Sequence, residues 1–280
     1  MAHRVSLLAA LVTGLAAGLR AQEEAGPVAT AGVRLHLTVP RGSVSAGESD
    51  VRVTAGPTFD LRDDLGFTDP ELLCTADLAL RLGRRERVEV GALGGVWASR
   101  VTLPRGGPYN DTTFVVGERA RGHVRFVGFS LGYSRVVWQS AASSMWLGAG
   151  LGSLSFDSGI EVPDTNGGGK LALEDIKAYV SYVRLSADLR AAGALALHVA
   201  GTAGVGGLRV LLREPASARY LAFRTVAVWA AGTRWRAEAG LAAFLVRLDY
   251  SGMEGDDDFG DNHVRLVAAG PEVGVRLSLR

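Results

Sequence analysis

The side chains of this sequence best suited to general base catalysis or metal ligation are the histidines His36, His123, His198 and His263, and none has a second ligand at the short spacing a metal site uses. No GxSxG turn presents a serine nucleophile. A lipid-modifying site would therefore have to be assembled by the fold, from a serine carried to His123 or His198 at a membrane rim. His198 has a second reading, as a hydrogen-bonding group inside the protein. Asp256, Asp257, Asp258 and Asp261 in EGDDDFGDN offer the oxygen density calcium favours, but not the EF-hand spacing, and they read as an exposed acidic loop. The stretch NGGGK resembles a phosphate loop but lacks its opening glycine, and Leu171 stands where a serine or threonine would follow Lys170. The single cysteine, Cys74, cannot form an internal disulfide and is expected to be a thiol buried in a strand. These residues assign no catalytic group, cofactor or metal.

Charges placed against an apolar background say more. In TRWRAEAGLA, Thr233, Trp235, Ala237, Ala239 and Leu241 alternate with Arg234, Arg236, Glu238 and Gly240. Near the end of the chain Val273, Val275, Leu277 and Leu279 alternate with Glu272, Gly274, Arg276 and Ser278. One side of each stretch is apolar and the other charged or small, which is the period of a β-strand. Arg234, Arg236, Glu238, Glu272 and Arg276 are accordingly expected to form a compensated charge network on the inside of a barrel, locking it shut or lining a narrow passage. Trp138 and Trp146 flank one short turn and Trp229 and Trp235 another, as members of an aromatic belt at a membrane interface would.

The elements that must position these groups are long strands. HVRFVGFSLGYSRVVW sets Val127, Phe129, Leu131 and Tyr133 against Gly128, Ser130, Gly132 and Ser134, and MWLGAGLGSLSF resumes the pattern after a polar break. Strands of about 12–16 residues are twice the usual globular length and suit a tilted crossing of a bilayer. The clear period of two excludes a helical reading of the alanine-rich pieces. Between the strands, long loops such as DLRDDLGFTDPE, PRGGPYND and SGMEGDDDFGDN alternate with short turns at GRRE and AAG. The fold predicted is all-β: a closed antiparallel transmembrane β-barrel of about ten strands, with both termini on the periplasmic side. Eight or twelve strands also fit, because the region before Asp60 is ambiguous. There, Ala31 to Pro40 is expected to enter the wall, RGSVS to form a bulge or excursion, and Val51 to Phe59 to finish the strand.

The first residues are not part of that barrel. A charged start, an apolar run from Ser6 to Leu19 and the small Ala21 read as a secretory signal peptide over 1–21, with cleavage after Gly18 the alternative, leaving 22–280 as one barrel domain. Glycine at 37 of 280 residues would weaken ordinary strands, but it suits walls that curve around crowded side chains. A formal charge of +1 gives no field for nucleic acid. A soluble exported barrel or sandwich is the alternative fold, in which the charged faces would turn outward.

With DLRDDLGF before a strand and TTFVVGERARG, residues 112–122, before a later one, the chain resembles the small outer-membrane β-barrel proteins of bacteria, an uncharacterised exported family. It ends at Leu279 and Arg280, where many such barrels carry an aromatic residue. The resemblance implies the cell outer membrane as location, outer-membrane lipid and the assembly machinery as partners, and a structural, surface-binding or narrow-channel role, with a small solute or surface ligand as cargo. A lipid-modifying outer-membrane enzyme is the alternative.

Overall fold

A computed structural model describes residues 28–45, 58–109, 112–163, 169–190, 194–206, 216–250, 253–254, 257–258 and 262–279. The expected signal peptide lies outside them. Ten strands form the wall: β1 (Ala29–Ser45), β2 (Glu71–Arg81), β3 (Glu86–Thr102), β4 (Arg119–Gln139), β5 (Ser143–Val162), β6 (Lys170–Arg190), β7 (Leu195–Gly206), β8 (Ala216–Ala230), β9 (Trp235–Tyr250) and β10 (Asn262–Leu279). Each pairs antiparallel with its neighbours in sequence, and β10 pairs back onto β1, so the barrel closes and leaves no free edge. Starting at Ala29, the register runs through Leu80, Val88, Tyr133, Ala149, Val183, Ala203, Leu221, Leu245 and Val267, and returns to β1 at Arg41, twelve residues further on. That stagger is the tilt a closed sheet requires.

Alternation sorts the side chains as a bilayer demands. Val33, Leu35, Phe129, Leu131, Leu151, Val205, Leu241 and Val273 point outward and are exposed, forming an apolar band around the cylinder. The intervening residues point into the lumen. Glycines on the inner side of β4 and β5 make room there: a side chain at Gly132 or Gly150 would strike the Tyr182 hydroxyl, and at Gly150 also the Leu131 carbonyl. Cys74 belongs to the outward set and is exposed, contrary to the buried thiol expected, because its strand parity is that of Leu72 and Leu78 rather than that of Leu73.

The amino-terminal region also differs from expectation. β1 continues unbroken through Pro40 to Ser45, so RGSVS is wall rather than an excursion. Pro40 is tolerated because pairing with β2 ends at Thr38 and pairing with Phe59–Asp60 begins only at Ser43, leaving β10 as the one ladder partner at Pro40 itself. Residues 51–57 lie outside the described residues, and Phe59–Asp60 does not finish the first strand but folds back to pair with Ser43 and Val44.

The segment that follows enters the barrel mouth. The Asp60 side chain accepts the N–H groups of Arg62 and Asp63, both at 2.8 Å, and so caps a single helical turn. Gly66, at φ +71°, ends the turn in the left-handed region. Asp64 accepts the Asp60 N–H at 2.7 Å and pairs with Arg105. With its polar groups satisfied locally, the segment drives Phe59, Leu61, Leu65 and Phe67 inward, where all four are buried. They meet Trp97, Val124, Phe126, Phe156, Ile160, Val246, Leu248 and Leu266 from the wall in one apolar core. Phe126 and Phe244 stack across it at 5.5 Å between ring centroids, and Trp97 donates from Nε1 to the Thr38 carbonyl at 3.3 Å. The hydrophobic core thus occupies the lumen at the end where the longer connections lie. At that rim Lys170 Nζ donates to Glu118 Oε1 at 2.6 Å, and this bond, helped by the Val115 N–H, holds the Glu118 carboxyl below its ordinary value.

Candidate functional site: the charged lumen

Nearer the short turns, the inner phase of the strands changes from apolar to charged. Glu238 on β9 is the hub. Its carboxylate takes Arg34 Nε of β1 and Arg224 Nη2 of β8, each at 2.7 Å, and Arg276 Nε of β10 at 2.9 Å. Arg34 also pairs with Asp77 of β2. Arg224 Nε donates to Glu272 at 2.5 Å, and Glu272 also lies 3.2 Å from His36 Nδ1. His36 Nε2 meets the Thr75 hydroxyl at 3.0 Å. Glu238 and Glu272 are almost completely buried.

A second group sits across the lumen. Glu89 bridges Arg87 and Arg184, the latter at 3.1 Å, and Arg87 donates to the Ser186 hydroxyl at 3.2 Å while its guanidinium lies 4.1 Å over the Trp146 ring. His198 Nδ1 is 2.7 Å from Asp188 Oδ1, and His198 Nε2 is buried with no partner. The two groups together set Arg34, Arg87, Arg184, Arg224 and Arg276 against Asp77, Glu89, Asp188, Glu238 and Glu272. Equal numbers of opposite charge are what a narrow interior demands, since an uncompensated ion there is costly. Between this belt and the apolar core lies a cavity of about 230 Å³, lined among others by Arg34, Asp77, Tyr182, Thr202, Arg224 and Phe244.

Of the five residues expected in an internal network, the fold brings Glu238, Glu272 and Arg276 together. Arg234 and Arg236 stand exposed at the turn between β8 and β9, where water solvates them; Arg236 shares the inward parity but reaches only the mouth. Sequence reasoning missed Arg34, Asp77 and Arg224. The signal for Arg34 was present, since Val33, Leu35 and Leu37 alternate with Arg34, His36 and Thr38. For Arg224 it was present too, in Phe223-Arg224-Thr225 within an apolar strand.

Three of the four expected interface tryptophans, Trp138, Trp229 and Trp235, are exposed at the end bearing the short turns. Trp146 is not one of them: it is buried and faces the lumen beneath Arg87. The reason is parity, for Trp146 is in phase with Gly148, Gly150 and Gly152 rather than with Leu147 and Leu151. Trp138 escapes the same fate because an irregularity between Val136 and Trp138 turns it outward. Single-tryptophan variants in vesicles of brominated lipid are expected to show strong quenching for Trp138, Trp229 or Trp235 and little for Trp146; equal quenching of all four would contradict this placement.

The other histidines are dispersed. His123 is on the outer face, 3.5 Å from Asp157, and His263 Nδ1 meets the Ser45 hydroxyl at 2.7 Å near the rim of β10. Among the described residues no group of three or more His, Cys, Asp or Glu side chains is arranged to hold a metal ion. Asp256 and Asp261 of the acidic loop lie outside them.

An all-β closed barrel of ten antiparallel strands, with an apolar outer band and a charged interior, is the architecture of bacterial outer-membrane barrels. No protein-family model matches the chain, and no curated protein is significantly similar to it in sequence. Among solved structures it is similar to the outer membrane protease OmpT from Escherichia coli, with a TM-score of 0.53, 9% identity, and 90% of this chain and 96% of that one covered. The transport unit of the autotransporter AIDA-I from Escherichia coli gives a TM-score of 0.39 at 7% identity, over 92% of each chain. A FadL homologue from Pseudomonas aeruginosa gives 0.35 at 8%, over 91% of each. The OmpT likeness is one of fold alone. The closed barrel and its lipid-facing apolar band are those of a protein of the cell outer membrane.

Proposed function

We propose that this protein is a non-enzymatic outer-membrane barrel with a structural or binding role, closed to diffusion of solutes. The observation that carries the reading is the filled lumen: Phe59, Leu61, Leu65 and Phe67 descend into the mouth and join the aromatic wall residues, with the charge belt beneath. A diffusion pore needs a continuous wet path, and an apolar constriction of this kind dewets. The cavity of about 230 Å³ between core and belt is smaller than the sites that hold drug-sized ligands. Partners in this reading are outer-membrane lipid, the assembly machinery and a small solute or surface ligand. The non-enzymatic reading is supported by the histidines: among the described residues, neither His123 nor His198 is bonded to a serine hydroxyl, and the serine that His263 meets, Ser45, is buried away from any substrate.

The test is conductance. Purified protein inserted into planar bilayers is expected to be silent across moderate voltages. Reproducible unitary steps would overturn the closed reading, and lipid deacylation lost on His198→Ala would overturn the non-enzymatic one.

A further inference from the structure

On the outer face, at the end bearing the long loops, three arginines stand in one register row. Arg219 of β8 is directly opposite Arg247 of β9, which is directly opposite Arg265 of β10. The row reaches β1 at Ser43, and Arg41, two residues nearer the membrane, lies on the same face. All four arginines are exposed. Neighbouring strands are about 4.8 Å apart, so three guanidinium stems rise within roughly 10 Å of one another. Like charges directly opposite on adjacent strands are destabilising.

Among the described residues this charge is answered only in part. Asp249, one row further out, pairs with Arg247 at 2.9 Å. Arg41, Arg219 and Arg265 have no carboxylate within ion-pair distance among the described residues. The rest of that outer row is Ser217, His263 and Ser45, with Ser217 donating to Asp249 at 3.5 Å. Other outward arginines at this end are treated differently. On β4, Arg121 faces Glu161 and Arg125 faces Asp157 of β5 in register. Arg100 of β3 also lies opposite Arg121, but there Glu161 stands beside the pair; among the described residues the row on β8, β9 and β10 is the longer run of like charge.

Its height identifies what can neutralise it. Each arginine stands two residues beyond an outward apolar one, Leu221, Leu245, Val267 and Val39 respectively, at the edge of the lipid-facing band. The groups that lie at that depth outside the protein are the headgroups of the outer leaflet. Guanidinium forks take phosphate oxygens in pairs, and adjacent forks take one phosphate from two sides.

We propose that the row Arg219, Arg247, Arg265, with Arg41 beside it, is a binding site for the phosphate groups of a phosphorylated outer-leaflet glycolipid. The inference rests on the outer-membrane placement and is independent of whether the lumen is closed. The hydroxyls of Ser43 and Ser217 stand beside the row for the sugar, and Asp249 orients the central arginine. The lipid removes the like-charge repulsion and fixes how this sector of the barrel meets the bilayer.

The experiment uses the full chain folded into phosphatidylcholine vesicles containing equal small fractions of lipid A and dephosphorylated lipid A, extracted gently and read by mass spectrometry of the retained lipid. Wild type is expected to retain the phosphorylated form over the other by at least about tenfold. The triple change Arg219→Gln, Arg247→Gln, Arg265→Gln is expected to bring the ratio to parity, while Arg84→Gln with Arg85→Gln, at the opposite end, leaves it unchanged. Should the triple variant not fold, Arg265→Lys is expected to keep most of the preference and Arg265→Glu to lose it. Equal retention of the two lipids by wild type, unchanged preference in the triple variant, or indistinguishable Arg265→Lys and Arg265→Glu would overturn the site. Inorganic phosphate stripping the lipid as effectively as soluble lipid A would overturn the lipid as its ligand. Conductance traces of the same samples report on the closed lumen separately.

Discussion

Glu238→Ala is expected to destabilise the folded barrel by about 3–5 kcal/mol, the range for breaking a buried ion pair from one side. Arg34, Arg224 and Arg276 converge on this carboxylate from three other strands, and Glu238 is 3% exposed. Removing it leaves Arg276 without the only carboxylate it pairs with among the described residues, while Arg34 keeps Asp77 and Arg224 keeps Glu272. Gly274, beside the hub on β10, is packed against the Arg34 side chain, so the neighbouring wall holds no side chain that could swing in to replace the carboxylate. Glu238→Gln keeps the shape and two hydrogen-bonding atoms but not the charge, and is expected to fall between alanine and wild type. Arg236→Ala, on the same strand but exposed at the mouth, is expected to change stability by less than about 0.5 kcal/mol. The measurement is the urea midpoint of unfolding from lipid vesicles, followed by the loss of the heat-modifiable band. A Glu238→Ala midpoint equal to that of Arg236→Ala would show that the belt carries no stability.

That contrast between Glu238 and Arg236 also marks how much of the site was legible in the sequence. Parity along a strand is a local property, so the inward placement of Glu238, Glu272, Arg276 and Arg34 follows from the apolar residues on either side of each. Depth is not local. Arg236 and Glu238 have the same parity, but the two-residue difference between them decides whether a charge is buried in the belt or solvated at the rim, and it depends on the stagger of all ten strands. Partner choice is set the same way: Arg34 and Glu238 are 204 residues apart and meet only because β10 closes onto β1. Trp146 shows the opposite failure. Its parity was readable from Gly148 and Gly150, yet its position beside a turn suggested a membrane anchor. The inward fold of Phe59–Phe67 was hidden because its acidic residues mark a loop correctly, while their use as caps for a buried turn depends on a wall of aromatic residues from distant strands to receive it.

Emptying the outer half of the lumen is expected to turn a silent barrel into a conducting one. Two layers close the interior: the apolar core built on Phe59, Leu61, Leu65 and Phe67 with Phe126 and Phe244, and the charge belt around Glu238. The belt is polar on every side and can hydrate, whereas the core excludes water, so the core is the barrier to ions. Replacing residues 59–67 by a short glycine-serine link and truncating the stacked pair with Phe126→Ala and Phe244→Ala removes four buried apolar side chains from the segment and two rings from the wall. Each ring costs about 3–5 kcal/mol of packing, so folding is checked first by heat modifiability. The folded variant is expected to show unitary steps in planar bilayers where wild type shows none. Its ion preference is expected to be weak, because five arginines face five carboxylates along the path. Adding Glu238→Ala, which leaves the belt one positive charge in excess, is expected to shift the preference toward anions. A folded core variant that stays silent would mean that the charge belt itself closes the lumen; that outcome would move the barrier from Phe126 and Phe244 to the Arg34, Glu238 and Arg276 contacts.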